Sequence, residues 1–443
     1  MLTGCKKKLK FAIPALIVVW LLTGPLPISE VWRTADAVPE YRRATEARLA
    51  KLSPVGGQGE LQIGTARREI SSALGQPLMG FTNRKPLAST GVHSPCYASA
   101  LTLRCGGVAV TVVTMDIFLL LPELTEEIVR LSGLPAEELY FTATHTHSGP
   151  GGWAEGGIMQ LIYGRADGRN RRHIAAAAAA AIRESRDGLR LAKVFSRRAE
   201  TPGMLENRIY KGERPAREII EALVFRDAAR REKILATLIT YAAHATLVRP
   251  AEHRCSADYP GFLRDAWEKS QGGLAMFAAG YIGDARAAGG VSAENFGRQL
   301  AEILAKAPEE PLAVNSLRRA LLPVDAPRTR IPCGKKWCWA PLFAPYLLSE
   351  QTRICGLRLG DIVLLGLPGD VAGEMAPELE KAAAGRGLRL LLTSFNGDWR
   401  CYFTTDQTAR ERNAYETRMG FLGPRAGGYF TDLCQMVVGK LAE

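Results

Sequence analysis

Two kinds of pattern alternate along most of this chain. Six short stretches are apolar and rich in β-branched residues, and they read as strands buried on both faces. They are "GVAVTVVTMDIFLL" (107–120), "LYFTATH" (139–145), "ILATLITYAAH" (234–244), "LAMFAAGYIGD" (274–284), "DIVLLGLPGD" (361–370) and "LRLLLTSFN" (388–396). Five others space apolar residues three and four apart among charged ones, the mark of an amphipathic helix. They are "LPELTEEIVRLSG", "HIAAAAAAAIRES", "YPGFLRDAWEKSQ", "ENFGRQLAEILAKA" and "AGEMAPELEKAAAG". This alternation predicts an α/β fold, with a large mixed and mostly buried β-sheet layered with helices. Four of the predicted strands end in a polar or small cluster: His145/His147, His244, Gly283-Asp284 and Gly369-Asp370. Sites in open α/β sheets gather at strand ends, so these clusters are expected to converge.

The first 57 residues have a different character. "KKKLKFAIPALIVVWLLTGPLPI" sets four lysines ahead of an apolar run from Phe11 to Leu22. Lysines at that position stay cytoplasmic, so the body is expected on the extracytoplasmic side, tethered to the membrane or released from it. The run is shorter than the about 17–25 residues of a spanning helix. Its nearest small-residue cleavage site, Ala35-Asp36-Ala37, lies far downstream. A cleaved signal peptide and a short signal anchor therefore both fit residues 1–37. "VPEYRRATEARLAKLSPVGG" reads as a charged helical stalk and linker over 38–57, leaving 58–443 as the folded catalytic body. Export makes cysteines candidates for disulfides. Cys5 precedes the apolar run, and Cys96/Cys105 and Cys333/Cys338 are the nearest neighbours in sequence, but spacing assigns no pairs.

Hydrophobic residues make up 47% and charged residues 23%, an ordinary globular balance. The net charge of +12 is spread through pairs such as Arg67-Arg68 and Arg171-Arg172. It is not gathered among aromatics, so no nucleic-acid partner is expected. Dispersed charge of this kind suits a solvated surface or attraction to an anionic membrane surface. The glycine-rich turns "SGPGGW" and "AAGG" lack the spacing of phosphate-binding loops, so no nucleotide is expected either.

The chemistry concentrates in "ATHTHSGPGG" (143–152). Only six histidines occur in the chain, and two of them are His145 and His147. On a strand, a spacing of two puts both imidazoles on one face. His244 ends a second predicted strand. Three imidazoles joined by a carboxylate would suit zinc with one position left open, and zinc lowers the pKa of bound water to about 7. The alternative is that each imidazole merely satisfies backbone hydrogen bonds.

The same stretch closely resembles the signature of the neutral/alkaline, non-lysosomal ceramidase family. Other segments resemble that family in the same order, from Met79 to Pro424. "MGFTNRKPLASTGVHSPCYASAL", "ENRIY", "YAAHATLVRP", "CSADYPG", "GLPGDVAGEM" and "NGDWRCYFTT" are those segments. The resemblance implies a single α/β catalytic domain that cleaves the amide of N-acyl sphingoid lipids. In long members a β-sandwich follows, which is not expected in a chain ending at Glu443. It further implies a Zn2+ ion held by His145, His244, Asp370 and the phenol of Tyr402. His147 and Arg208 would then orient the substrate and stabilise charge.

Two departures from the family matter. Asp370 stands where the ceramidases carry Glu, which makes Glu374 an alternative ligand. "GYIGDARAAGG" replaces a segment whose Ser is tied to catalysis, and Arg286 falls at that Ser. A serine acyl-enzyme is therefore not expected, and Arg286 could instead grip an anionic group of the substrate. His93 is a candidate for the pocket lining. Asp258 is either an outer partner of a metal-bound His or a helix cap, and Asp398 is expected to fix the loop bearing Tyr402. His173, His253 and Asp284 read as surface or turn residues. The expected function is a zinc-dependent hydrolase that uses metal-activated water on an amide, or related acyl, bond of an amphipathic lipid-like substrate. The competing expectations are a zinc esterase and a catalytically degenerate lipid- or glycan-binding protein.

Overall fold

The computed structural model describes residues 40–327 and 351–443, the short strands Pro25–Pro27 and Trp337–Trp339, and a few isolated positions. The apolar run at Phe11–Leu22, Cys5, Cys333 and the Cys338 side chain lie outside the described residues. Among the described residues, no helix is long and apolar enough to cross a membrane.

Two sheets face each other, and helices cover their outer sides. The larger sheet runs, in spatial order, Leu274–Ala279, Ile234–Tyr241, Ile219–Asp227, Arg190–Glu200, Leu61–Glu69, Tyr97–Cys105, Val108–Met115 and Leu139–Ala143. Glu309–Leu312 also pairs with Arg190–Glu200. The outermost pair at each end is parallel, and the pairs between are antiparallel. The second sheet runs Val55–Gln58, Ser316–Asp325, Gln351–Leu359, Ile362–Gly366 and Arg389–Thr393, and its last pair is parallel. All six predicted strands and all five predicted helices are present.

Alternation along the strands builds the layers, because successive side chains leave a strand on opposite faces. Ile362 and Leu364 point into the core between the sheets with Leu103, Val112 and Phe225. Val363 and Leu365 point outward, toward the helices Ala376–Ala384 and Ala426–Ala442. Across the larger sheet, Ala98, Ala100 and Val113 face outward to the alanine-rich helix Gly168–Asp187, whose Ile174, Ala175, Ala178 and Ala181 are buried. Alanine permits that helix to lie close to the sheet: a Cβ on Gly64 would stand well inside contact distance of the Ser185 carbonyl.

The stalk expected over 38–57 is instead part of the body. Helix Glu40–Ala50 buries Thr45 and Leu49. Thr45 Oγ1 accepts from the Asp325 amide at 2.9 Å, and Arg48 pairs with Asp325 at 2.8 Å. Val55–Gln58 is an edge strand of the second sheet. Its polar sequence reads as exposed, but its one buried stripe and its strand lock it onto the sheet.

Candidate metal centre

The site lies where the C-terminal ends of parallel strands from both sheets meet. Leu139–Ala143 leads to His145 and His147, and Ile234–Tyr241 leads to His244. From the second sheet, Ile362–Gly366 leads to Asp370, and Arg389–Thr393 leads to the loop ending at Tyr402. A short parallel bridge sets Asp370 directly beside Tyr402. The crowding is backbone-deep. A Cβ on Gly283 would stand 2.6 Å from the Asp370 carbonyl, and one on Gly80 would stand 2.2 Å from the His147 backbone.

The strand ends before His145, which takes φ of 60°, in the left-handed region. The two imidazoles therefore do not share a pleat face, yet they meet, with Nε2 atoms 3.2 Å apart. His145 is sandwiched between Phe118 and Phe395, at ring separations of 4.7 and 4.3 Å. Its Nδ1 lies 2.5 Å from the Phe118 carbonyl. His244 Nδ1 lies 2.7 Å from the Ile282 carbonyl. A carbonyl only accepts, so both rings carry their hydrogen on Nδ1 and present a bare Nε2 inward. Asp370 Oδ1 is 3.3 Å from each of those Nε2 atoms. It is buried and has no hydrogen-bond donor. Its other oxygen, Oδ2, accepts from the Trp399 indole at 2.9 Å.

Three acceptors thus converge, with the Tyr402 hydroxyl and the His147 ring as the donors in reach, and a cation among them would relieve the crowding of lone pairs on Asp370 Oδ1. The ligand atoms of His145, His147 and His244 all fall within 4.8 Å of one another. Tyr402 Oη reaches His244 Nε2 at 3.0 Å. Nitrogen and carboxylate donors, each second nitrogen fixed by a carbonyl, fit a divalent transition metal such as zinc.

Burial favours the neutral, ligand-competent imidazoles but opposes ionisation of Asp370 and Tyr402, which a bound cation would have to offset. Burial holds the His145 imidazole down to about 3, against the influence of Asp370. Burial and the neighbouring cations push His147 and His244 well below their ordinary value. Burial also raises the Asp370 carboxyl, opposed by His145, Trp399 and Arg208. The Tyr402 phenol is raised by burial and by the Asp370 charge.

Arg208 stands over the rings of Tyr402 and Tyr415, at 6.0 and 5.8 Å. Its Nε pairs with the buried Glu416 at 2.9 Å. Its Nη1 is buried without a partner, a free donor beside the cluster. Arg84 is also buried, and among the described residues it makes no ion pair. It donates to the His147 carbonyl at 3.0 Å and to Ser148 Oγ at 2.7 Å, fixing the far side of the histidine loop.

The remaining expected residues lie elsewhere. Arg286 is exposed and pairs with Glu206 at 2.8 Å, because the strand pairing that brings its backbone beside His244 turns its side chain outward. His93 is exposed, with Nδ1 3.4 Å from Ser256 Oγ. Asp258 bonds no site imidazole; its carboxylate accepts from the Val248 and Tyr259 amides at 2.7 and 2.6 Å. It thereby fixes the turn after His244, and the outer partners of the imidazoles are backbone carbonyls instead. Asp398 pairs with Arg400 at 2.6 Å and accepts from the Trp399 amide at 2.7 Å, within the loop that carries Trp399 and ends at Tyr402. Glu374 is no ligand, since Thr405 and Thr408 occupy it at 2.8 and 2.7 Å. Asp284 caps a buried turn, accepting from the Gly373 amide at 2.6 Å. Trp399, Phe118, Phe395 and Glu416 were not singled out from sequence. Only Trp399 carried a signal there, as a donor within the segment that holds Asp398 and Tyr402.

Comparison with known proteins defines the class of fold. No protein-family model and no curated protein sequence matches the chain. Among solved structures, a neutral ceramidase from Pseudomonas aeruginosa superposes with a TM-score of 0.77 at 19% identity, covering 86% of this chain and 74% of that one. A ceramidase complexed with C2 superposes with a TM-score of 0.73 at 18% identity, covering 86% of this chain and 75% of that one. The chain has the mixed α/β fold of the neutral ceramidases, as its motifs led us to expect.

Proposed function

We propose that this protein is a zinc-dependent hydrolase that cleaves an amide, or related acyl, bond of an amphipathic N-acylated lipid at a membrane surface. The carrying observation is the convergence of the buried His145 and His244 Nε2 atoms on Asp370 Oδ1, an oxygen with no hydrogen-bond partner among the described residues. The likeness of fold to ceramidases supports the substrate class. His145, His244, Asp370 and Tyr402 would hold the ion, with His147 beside it. When bound, such an ion activates water near neutral pH and polarises an acyl oxygen. The chain's own groups supply the rest. Arg208, whose guanidinium lies over the Tyr402 ring, keeps a buried and unpartnered Nη1 that would donate to charge developing on an acyl oxygen. Glu416 holds that guanidinium in place. His147 stays neutral through burial and so is able to accept a proton from an attacking water. Phe118 and Phe395 sandwich the His145 ring and shield it from bulk water. We further propose that the body is extracytoplasmic and that residues 1–37 deliver or tether it.

The test is a metal-replete activity screen of the full chain against N-acyl lipids and matched ester lipids, with metal analysis. The expected result is about one zinc per chain, amide turnover abolished by EDTA, and both lost in His244→Ala. Metal-free protein that still binds lipid would favour a degenerate binding protein, and turnover confined to esters would favour an esterase.

A further inference from the structure

The two histidine loops rest on a common shelf, Cys255–Asp258. Thr146, between the two site histidines, donates to the Ser256 carbonyl at 2.6 Å. Asp258 holds the Val248 amide in the turn after His244. On its C-terminal side the shelf runs into the buried helix Asp258–Gln271, and on its N-terminal side regular structure is slight. It pairs with Val92–Ser94 in a short parallel bridge with an irregular register. Ser94 Oγ adds contacts to Ser256 Oγ at 2.7 Å and to the Ala257 amide at 3.1 Å.

Two cysteines span the same junction. Cys96 and Cys255 are both fully buried, with sulfurs 3.5 Å apart. Their backbones are fixed from both sides. The Cys96 amide donates to Ser71 Oγ at 2.9 Å, and its carbonyl accepts from Ile70 at 2.8 Å. The Cys255 amide donates to the Gly91 carbonyl at 2.8 Å. Side-chain rotation alone has to bring the sulfurs to the roughly 2.0 Å of a bond. The sequence neighbour Cys105 is excluded as a partner. It ends the strand that begins one residue after Cys96, roughly 30 Å away at strand rise.

We infer that Cys96 and Cys255 form a disulfide that clamps the shelf beneath the metal-centre loops. The inference does not depend on the hydrolase reading. The co-reactant is a disulfide, either a low-molecular-weight one or that of an oxidising protein, acting before the pair is buried. One cysteine sulfur, as thiolate, attacks a sulfur of that oxidant and releases one thiol. The second cysteine sulfur attacks the mixed disulfide and releases the other. Two electrons pass to the oxidant, and the two cysteine protons end on the released thiols.

The test is a peptide map of full-length protein exported to an oxidising compartment, alkylated on lysis and digested with trypsin without reductant. Cleavage isolates Cys96 on residues 85–104 and Cys255 on residues 255–264, each the sole cysteine of its peptide. The expected result is a linked pair of these two peptides in most molecules, lost on reduction. Recovery of both as separate, alkylated peptides from the folded protein overturns the bond. For the clamp, the Cys96→Ala/Cys255→Ala protein should match the urea midpoint of reduced wild type and fall below that of oxidised wild type. Equal midpoints for oxidised and reduced wild type overturn the clamping role.

Discussion

At the residue scale, Asp370 is a carboxylate with two different oxygens. Trp399 saturates Oδ2, which leaves Oδ1 as the single oxygen facing the imidazoles. A side chain one methylene shorter than Glu needs such help, because it cannot adjust its reach. Trp399→Phe keeps the ring and removes the donor. It should weaken metal binding by about 10–100-fold, as outer partners of metal ligands generally do, with little change in the urea midpoint of metal-free protein. Competition with a chromogenic chelator reads the first effect, and unchanged affinity would contradict the assignment. The buried imidazoles also set a pH dependence. In the unfolded chain His244 takes up a proton as pH falls through about 6.5, and in the folded chain it does not. The unfolded state then binds more protons, so stability drops on acidification. Each such histidine contributes up to about 1.4 kcal/mol per pH unit below that point. In EDTA, His244→Gln should therefore lose stability less steeply than wild type between pH 6.5 and 5, measured by urea titration.

At the element scale, the site depends on strand ends pressed together at backbone distance. Gly283 sits against Asp370 and Ala372, where a methyl would meet a carbonyl at 2.6 Å and an amide nitrogen at 2.7 Å. Gly283→Ala should displace the Asp370 strand and cut metal affinity about tenfold or more, because ligand sets tolerate only about 0.5 Å of drift. A variant with wild-type affinity would show that the strand yields freely. The elements were legible where one pattern dominated. The doubly buried strands and the amphipathic helices stand out from their composition. Strands such as "RLAKVFSRRAE" (190–200) do not, because their buried positions alternate with exposed Arg and Lys. His145 and His147 were legible as a pair, but the left-handed turn at His145 was not, since no local residue requires it. Nothing in spacing links Asp370 or Tyr402 to those histidines. That link comes from the ceramidase resemblance, and the structure brings the four residues together.

At the scale of the whole molecule, a second sheet is the feature that the pattern concealed. Strands of both sheets bury both faces, so the sequence does not say which sheet each joins. The edge of that second sheet includes Val55–Gln58, with helix Glu40–Ala50 packed beside it. A chain beginning at Ser53 should therefore be less stable than one beginning at Pro39, by about 2 kcal/mol or more from the burial of Leu49 alone. Equal urea midpoints for the two would restore a free stalk. The split of ligands between sheets has a consequence for biosynthesis. The first donors emerge a third of the way along the chain, but Tyr402 comes within about the last tenth of its 443 residues. No fragment that stops short of Tyr402 owns the whole set, so the proposed ion would load only once that residue is made and the two layers have docked. Such an ion would act as a rivet driven through an assembled joint, and cells starved of it should accumulate a chain that is folded but loose at that seam.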